Sequence, residues 1–471
     1  MTIEINKTIF RLYDIRGSSL SDVTPTLAYK IGFCFAQMQA TGNRKICVGR
    51  DGRLSSPELY NGLVKGIIDA GGDVISVGIV PSPMLYFADK LFKPVASIMI
   101  TASHNPKNDN GFKLLSQGRS FFNHQIQDLL NRILSTDWSH MQAKFLTIAN
   151  VEEVNIVKQY IDRILQGITI NPKLKIAWDP SNGSAGNITE LLVSQLPNIN
   201  IVINAKIDGN FPNHSPDPTI PENLEQLMKI VQSNDCDLGI AFDGDGDRLV
   251  VISKNGKIIL GDQILCILAK DVIAQNPNAT IIMDVKSSGA IFNQIKLYGG
   301  KPIMCKTGHS FIKDKMQETK ALLAGETSGH IFFADKYYGY DDGIYAALRV
   351  IDLLSRTPKL LDNIVGELPK YHNSSEIKIS VPDNVKFKII DQIKEDLIAQ
   401  NIIFDDIDGI RGNSIVTGKK FTLTTDSEWW LIRASNTEGK IIVKYESDSV
   451  QGLIRIRSDL ASLLATYNLE L

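Results

Sequence analysis

Short apolar runs that stop abruptly at Gly-, Ser- or Asp-rich loops recur along this chain in three sets, with helical stretches between them. KICVGRDGR, DVISVGIVPSP and ASIMITASHNP make the first set. KIAWDPSNGSAG, NINIVINAKIDG and LGIAFDGDGDR make the second, and TIIMDVKSSGA, KPIMCKTGHSF and ALLAGETSGH the third. Brief apolar runs bounded by turn residues fit strands buried on both faces. Alternation with segments such as PELYNGLVKGIIDAGG points to βαβ units around parallel sheets. In each set the first run ends at an acidic turn (Asp51, Asp179, Asp284) and a later one at a polar cluster (Ser103, Asp243, Glu326). The spacing between these ends varies from set to set, so a solenoid of fixed short period is excluded. The expected fold is α/β: three related α/β domains, at residues 1–150, 151–252 and 253–370. A smaller α+β domain over 371–471 closes the chain, carrying EIKISV, KFKIIDQIKEDLIAQ, TLTTDSEWWLIRAS, KIIVKYES and a last helix. Ligands of open α/β sheets bind outside the carboxyl ends of strands, so these loops are where chemistry is expected.

Charge narrows the function classes. Lys and Arg number 50 against 52 Asp and Glu, for a net charge of -2. That balance leaves no broad electrostatic footprint for nucleic acid or an anionic membrane. The longest uncharged runs, Val74 to Ala88 and Leu191 to Ala205, both contain Pro and fall short of the roughly 20 apolar residues of a membrane helix. The N-terminal stretch has an early Glu4 and no apolar core of signal-peptide type, so the cytoplasm is the expected location. Five scattered Cys without a CxxC read as small buried hydrophobes rather than as a disulfide framework or a zinc site.

Two loops carry the chemistry. In Asp243-Gly244-Asp245-Gly246-Asp247-Arg248, three carboxylates alternate with glycines after a strand. Like charges this close resist ionisation unless a cation joins them, and hard oxygen donors select Mg²⁺. An EF-hand would need Gly at the sixth position and Glu at the twelfth; Arg248 and Lys254 stand there. Mg²⁺ keeps positions for phosphate oxygens. The second loop, Thr101-Ala102-Ser103-His104-Asn105-Pro106, displays a serine at the end of a buried strand, with His104 and Lys113 close in sequence. Ser103 is either a nucleophile or phosphoryl carrier, or a helix cap.

TASHNP followed by Gly111-Phe112-Lys113, together with DGDGDR, resembles the α-D-phosphohexomutase family. Further motifs stand in the family's order: Tyr13-Asp14-Ile15-Arg16-Gly17, Gly49-Arg50-Asp51-Gly52-Arg53, Gly325-Glu326-Thr327-Ser328-Gly329-His330, and Arg433-Ala434-Ser435-Asn436-Thr437-Glu438. The resemblance implies four domains around a central cleft and an enzyme that interconverts hexose 1-phosphates and hexose 6-phosphates. It implies phosphoserine at Ser103, completing a Mg²⁺ site with Asp243, Asp245 and Asp247. A hexose 1,6-bisphosphate serves as intermediate and activator. Arg16, Arg248 and His104 then surround the transferring group, with Lys113 or His330 moving the proton. Tyr13, His309, Glu326 and Ser328 bind substrate, the last two at the sugar 3- and 4-hydroxyls. Arg433, Ser435, Asn436 and Thr437 hold the phosphate that stays. Mannose and glucose phosphates are the expected substrates, and the expected assembly is a monomer or weak homodimer. Thr327 departs from the Gln of phosphoglucosamine mutases, the alternative reading. Gly439 replaces a common Pro and leaves the phosphate donors in place. A non-catalytic sugar-phosphate-binding protein on this scaffold would lack Ser103 or one metal-loop Asp, and a phosphatase would not need the sugar loop. Asp342 is expected to cap the helix that follows it.

Overall fold

A computed structural model describes residues 5–39, 42, 44–138, 151–412, 414–417, 420–423, 428–435 and 439–471. The chain forms two compact units. One holds residues 1–264 and 328–364, the other residues 265–327 and 365–471.

The first unit contains two sheets. Its first sheet uses β1 (Ile15–Ser18), β2 (Lys45–Arg50), β3 (Asp73–Ile79), β4 (Ala96–Ile100), β5 (Asp109–Ser116), β6 (Arg119–Ser120) and β7 (Val151–Glu153). Their order is β1-β5-β4-β2-β3-β7, with β6 beside β5. Strands β4, β2, β3 and β7 run parallel, and β5 returns antiparallel to β4. The second sheet uses β8 (Lys175–Asp179), β9 (Ile199–Val202), β10 (Leu238–Phe242), β11 (Leu249–Ser253) and β12 (Ile258–Ile259), in the order β12-β11-β10-β8-β9. This sheet therefore runs past residue 252, where the sequence suggested a boundary. In the second unit, strands Thr280–Asp284, Lys301–Cys305 and Leu323–Gly325 pair in parallel.

The three sets of apolar runs become one topology used three times. In each set the first strand lies in the middle, flanked by the third on one side and the second on the other. Each set alternates strand and helix, with helices Ser56–Asp69 and Ser82–Phe92 in the first, Gly186–Val193 and Glu225–Ser233 in the second, and Gly289–Leu297 and His309–Thr319 in the third. The expectation of three related α/β domains holds at the level of strand order, which sequence spacing alone did not contain. The closing α+β domain also holds. Strands His372–Asn373, Ile377–Ser380, Ile410–Gly412, Trp429–Ala434 and Lys440–Ser447 form an antiparallel sheet. Helices Lys386–Ala399 and Val450–Ala465 share its core through Ile393, Leu397, Ile432, Val443 and Ile456. All five cysteines are buried and none forms a disulfide.

Packing of the first sheet depends on one close helix crossing. α1 (Pro25–Met38) and α2 (Ser56–Asp69) approach until a Cβ on Gly66 would lie 2.1 Å from the Tyr29 carbonyl oxygen. A Cβ on Gly32 would lie 2.3 Å from the Leu63 carbonyl oxygen. Glycine is required here for proximity rather than for an unusual φ. Gly66→Ala should therefore destabilise the protein by about 1–3 kcal/mol through overpacking, read as a lower Tm in thermal unfolding.

Candidate active site

The site in the first unit is assembled at strand ends. Leaving β4, the chain turns through Ser103 with φ 51, a left-handed conformation uncommon outside glycine. Thr101 Oγ1 accepts the Ser103 N–H at 2.8 Å. No helix follows, so Ser103 is not a cap; its Oγ donates to Asp243 Oδ2 at 2.6 Å and lies 3.2 Å from His104 Nδ1. Asp243, Asp245 and Asp247 follow β10, all fully buried. Each offers a carboxylate oxygen within 4.8 Å of the others.

Burial and the two neighbouring carboxylates push Asp243 up to about 8. Burial works in the same direction on Asp245, but the Lys113 ammonium and hydrogen bonds from Lys113 and Ser82 bring it below its ordinary value. Lys113 Nζ, from β5, reaches Asp245 Oδ2 at 2.7 Å and Asp247 Oδ2 at 2.5 Å. Burial alone would lower Lys113, yet these two carboxylates leave it above the usual lysine range. Lys113 is therefore held positive.

Arg16 is buried on β1. It pairs with Asp14 at 2.6 Å and donates to the Ala102 carbonyl at 3.0 Å and to Asn105 Oδ1 at 3.3 Å. Tyr13, half-buried beside it, contributes to the field at Arg16. The Arg248 N–H donates to Asp243 Oδ1 at 3.2 Å, and its Nε lies 3.8 Å from Asp243 Oδ2. Burial together with Arg248 and Arg16 pushes His104 well below the usual histidine range, so it stays neutral at neutral pH. His330 Nε2 lies 3.1 Å from Asp247 Oδ1 and 3.4 Å from Arg248 Nε. Arg248 Nε–H donates to His330 Nε2, so a neutral ring carries its proton on Nδ1. Nδ1 lies 3.1 Å from Ser328 Oγ.

Sequence reasoning passed over several residues here. Ser82 donates to Asp245 Oδ2 at 2.5 Å from the first turn of helix Ser82–Phe92. Asp341 lies 4.0 Å from His330 Nε2. Asp341 stands directly before Asp342, the expected helix cap, and carries no local signal of its own. Asp342 does cap its helix, accepting the Tyr345 N–H at 2.9 Å, and it also receives the hydroxyls of Tyr160 and Tyr337.

The second unit brings together a separate group. Glu326 Oε1 accepts the Gly308 N–H at 2.7 Å, directly before His309. His309 is buried at the start of helix His309–Thr319. Asp408 accepts the Thr307 N–H at 3.2 Å and pairs with Arg433 at 2.9 Å. One connected set thus links Glu326, the His309 turn and Arg433. Ser435 is buried, and its N–H donates to the Lys440 carbonyl at 2.8 Å. Lys286 and Glu376, unremarked in the sequence, pair at 2.9 Å; the Lys286 ammonium brings Glu376 down to about 2. Asn436 and Thr437 lie outside the described residues.

Chemically, the first group suits phosphoryl transfer: a strand-end hydroxyl, a carboxylate triplet and three cationic side chains come together. The comparisons agree. Family models for the α/β/α domains I, II and III of phosphoglucomutase/phosphomannomutase match residues 7–140, 158–256 and 260–371. The chain is 41% identical to a phosphomannomutase/phosphoglucomutase of Pseudomonas putida, covering 98% of this chain and 97% of that protein. It is 39% identical to a phosphoglucomutase of Neisseria gonorrhoeae over 96% of both chains. A crystal structure of a phosphoglucomutase/phosphomannomutase family protein from Burkholderia thailandensis is similar with a TM-score of 0.88 at 36% identity, covering 99% of this chain and 98% of that one. This chain belongs to the phosphoglucomutase/phosphomannomutase family.

The triplet fits the divalent cation such a family implies. Asp245 Oδ1 is buried without a hydrogen-bond donor, and burial and the two neighbouring carboxylates push Asp243 up. Because Asp243 holds a proton below about 8, cation binding must release it. Mg²⁺ affinity of the dephosphorylated protein should weaken as pH falls below that value, by up to about tenfold per unit. Calorimetry in buffers of different ionisation enthalpy should record the released proton.

Proposed function

We propose that the protein is a hexose phosphate mutase, interconverting the 1- and 6-phosphates of mannose, glucose or both. The observation that carries this reading is the Ser103 hydroxyl, held in a left-handed turn 2.6 Å from Asp243 in a buried carboxylate triplet. Ser103 is the phosphoryl carrier. Asp243, Asp245 and Asp247 would hold Mg²⁺, which when bound neutralises phosphoryl charge and stabilises the Ser103 oxygen as a leaving group.

The transfer is an exchange of one P–O bond for another. The bond from phosphorus to Ser103 Oγ breaks while a bond forms to the free hydroxyl of the sugar phosphate. His330 takes the proton of that hydroxyl. Lys113, held positive by Asp245 and Asp247, suits charge neutralisation rather than the role of base. Arg16 and Arg248 add positive charge beside the transferring group, and neutral His104 hydrogen-bonds Ser103 Oγ. The product is a hexose 1,6-bisphosphate, which turns over and returns its other phosphate to Ser103. Glu326, Ser328 and His309 hold the sugar. Arg433 and Ser435 hold the phosphate that is not transferred, with Tyr13 on the substrate side.

Purified protein should carry a phosphate-sized mass addition that is absent from Ser103→Ala, and that variant should lose activity by several orders of magnitude. Full activity in Ser103→Ala would overturn the carrier role. A panel of mannose, glucose and glucosamine 1-phosphates compared by kcat/KM should show glucosamine disfavoured.

A further inference from the structure

We propose that Arg53, together with the loop Ile207–Pro216, is a positioning device that sets the phosphoserine loop against the metal loop. The inference rests on the mutase reading above. Arg53 is 1% exposed, and its guanidinium is spent almost entirely on main-chain carbonyls of the Ser103 loop. Nη2 donates to the Ser103 carbonyl at 2.8 Å and the Asn105 carbonyl at 2.6 Å. Nη1 donates to Pro106 at 2.6 Å and Asp109 at 3.1 Å. Asp51 holds the other side: its Oδ2 lies 3.2 Å from Arg53 Nε, while Oδ1 accepts the Arg53 N–H at 3.0 Å. Only the rigid fork of a guanidinium offers donors in this pattern; a lysine ammonium cannot span four carbonyls.

Such bracing has a purpose at Ser103. A serine at positive φ is strained and persists only where its surroundings over-determine it. Glycine would relieve the strain but would remove the hydroxyl. Arg53 grips the Ser103 carbonyl on one side. On the other, a Cβ on Gly244 would sit 2.5 Å from that same oxygen, so the metal loop is pressed directly against it.

The loop Ile207–Pro216 joins these two supports. A Cβ on Gly209 would fall 2.6 Å from Leu54 N and 2.7 Å from the Gly52 carbonyl, and one on Gly52 would fall 2.2 Å from Ile207. Phe211, itself at φ 50, lies 5.2 Å from the Arg53 guanidinium and covers it. Farther along, Asn213 Nδ2 donates to Asn182 Oδ1 at 2.9 Å, and His214 Nε2 lies 2.9 Å from Asp179 Oδ2. The Pro216 carbonyl then accepts the Gly244 N–H at 3.2 Å. The loop therefore touches the arginine behind the nucleophile at one end and the metal loop at the other. It fixes the separation on which in-line transfer depends.

The test is single-turnover transfer from Mg²⁺-loaded enzyme labelled with phosphate on Ser103, mixed with glucose 1-phosphate or mannose 1-phosphate. The amplitude reports how much enzyme is folded and labelled; the rate constant reports positioning. Arg53→Lys should slow the rate constant between about tenfold and about a hundredfold. Phe211→Ala, at a half-exposed position, should slow it about threefold to fivefold, and Phe211→Tyr should restore it. A wild-type rate constant in either folded variant, with or without a smaller amplitude, overturns the proposal. If Arg53→Lys does not fold, Phe211→Ala decides alone. Wild-type enzyme that transfers its label to neither sugar phosphate overturns the mutase reading instead.

Discussion

Three carboxylates buried within 4.8 Å of one another are the constraint around which the first unit is arranged. At an effective dielectric near 20, each such pair of charges repels by about 3–4 kcal/mol. A domain has only about 5–15 kcal/mol of net stability, so the triplet could not be kept fully ionised without compensation. The surrounding residues supply it. Lys113 pairs with two of the three, Ser82 and Ser103 donate hydroxyls, and Arg16 and Arg248 lie close by. What remains uncompensated adds to burial in raising Asp243 above the usual carboxylate range. The site is thus tense in the direction that favours a divalent cation, and folding stability is exchanged for affinity.

Repetition of one βαβαβ topology explains where these groups come from. Strand ends at the carboxyl edge of a parallel sheet present backbone and side chains into a loop region rather than into the core. In the first unit the first copy carries Ser103 at such an end and the second the carboxylate triplet; in the second unit the third copy carries Glu326. Equivalent positions in one ancestral-style frame have been given different chemistry, while the strand order that displays them stays the same. In the second unit, the same logic places Glu326 at the end of Leu323–Gly325 and ties it through Gly308 to the start of the next helix.

Legibility of the site followed the range of the interactions. The metal loop and the serine loop are local: their glycines, carboxylates and proline are contiguous, so their chemistry could be read directly. Ser82 and Asp341 were hidden because their partners lie at sequence separations that no local pattern encodes. Ser82 meets Asp245 across 163 residues. Arg53 stood in a quoted motif without a role, since its four carbonyl partners carry no side-chain signature. Lys113 and His330 likewise differ in pairing that no local pattern encodes: Asp245 and Asp247 occupy the lysine, while His330 Nε2 accepts from Arg248 Nε.

By itself the sequence determined the α/β class, the three-part repetition, the closing α+β segment and the identity of the two chemical loops. Apolar periodicity, turn residues and clustered oxygen donors are written along the chain, and each acts over a few residues. Tertiary structure decided the common strand order, the left-handed turn at Ser103 and the burial that raises Asp243. It also decided which cation neutralises which carboxylate. Those depend on desolvation and on distances between segments far apart in the chain, and only the folded packing sets them.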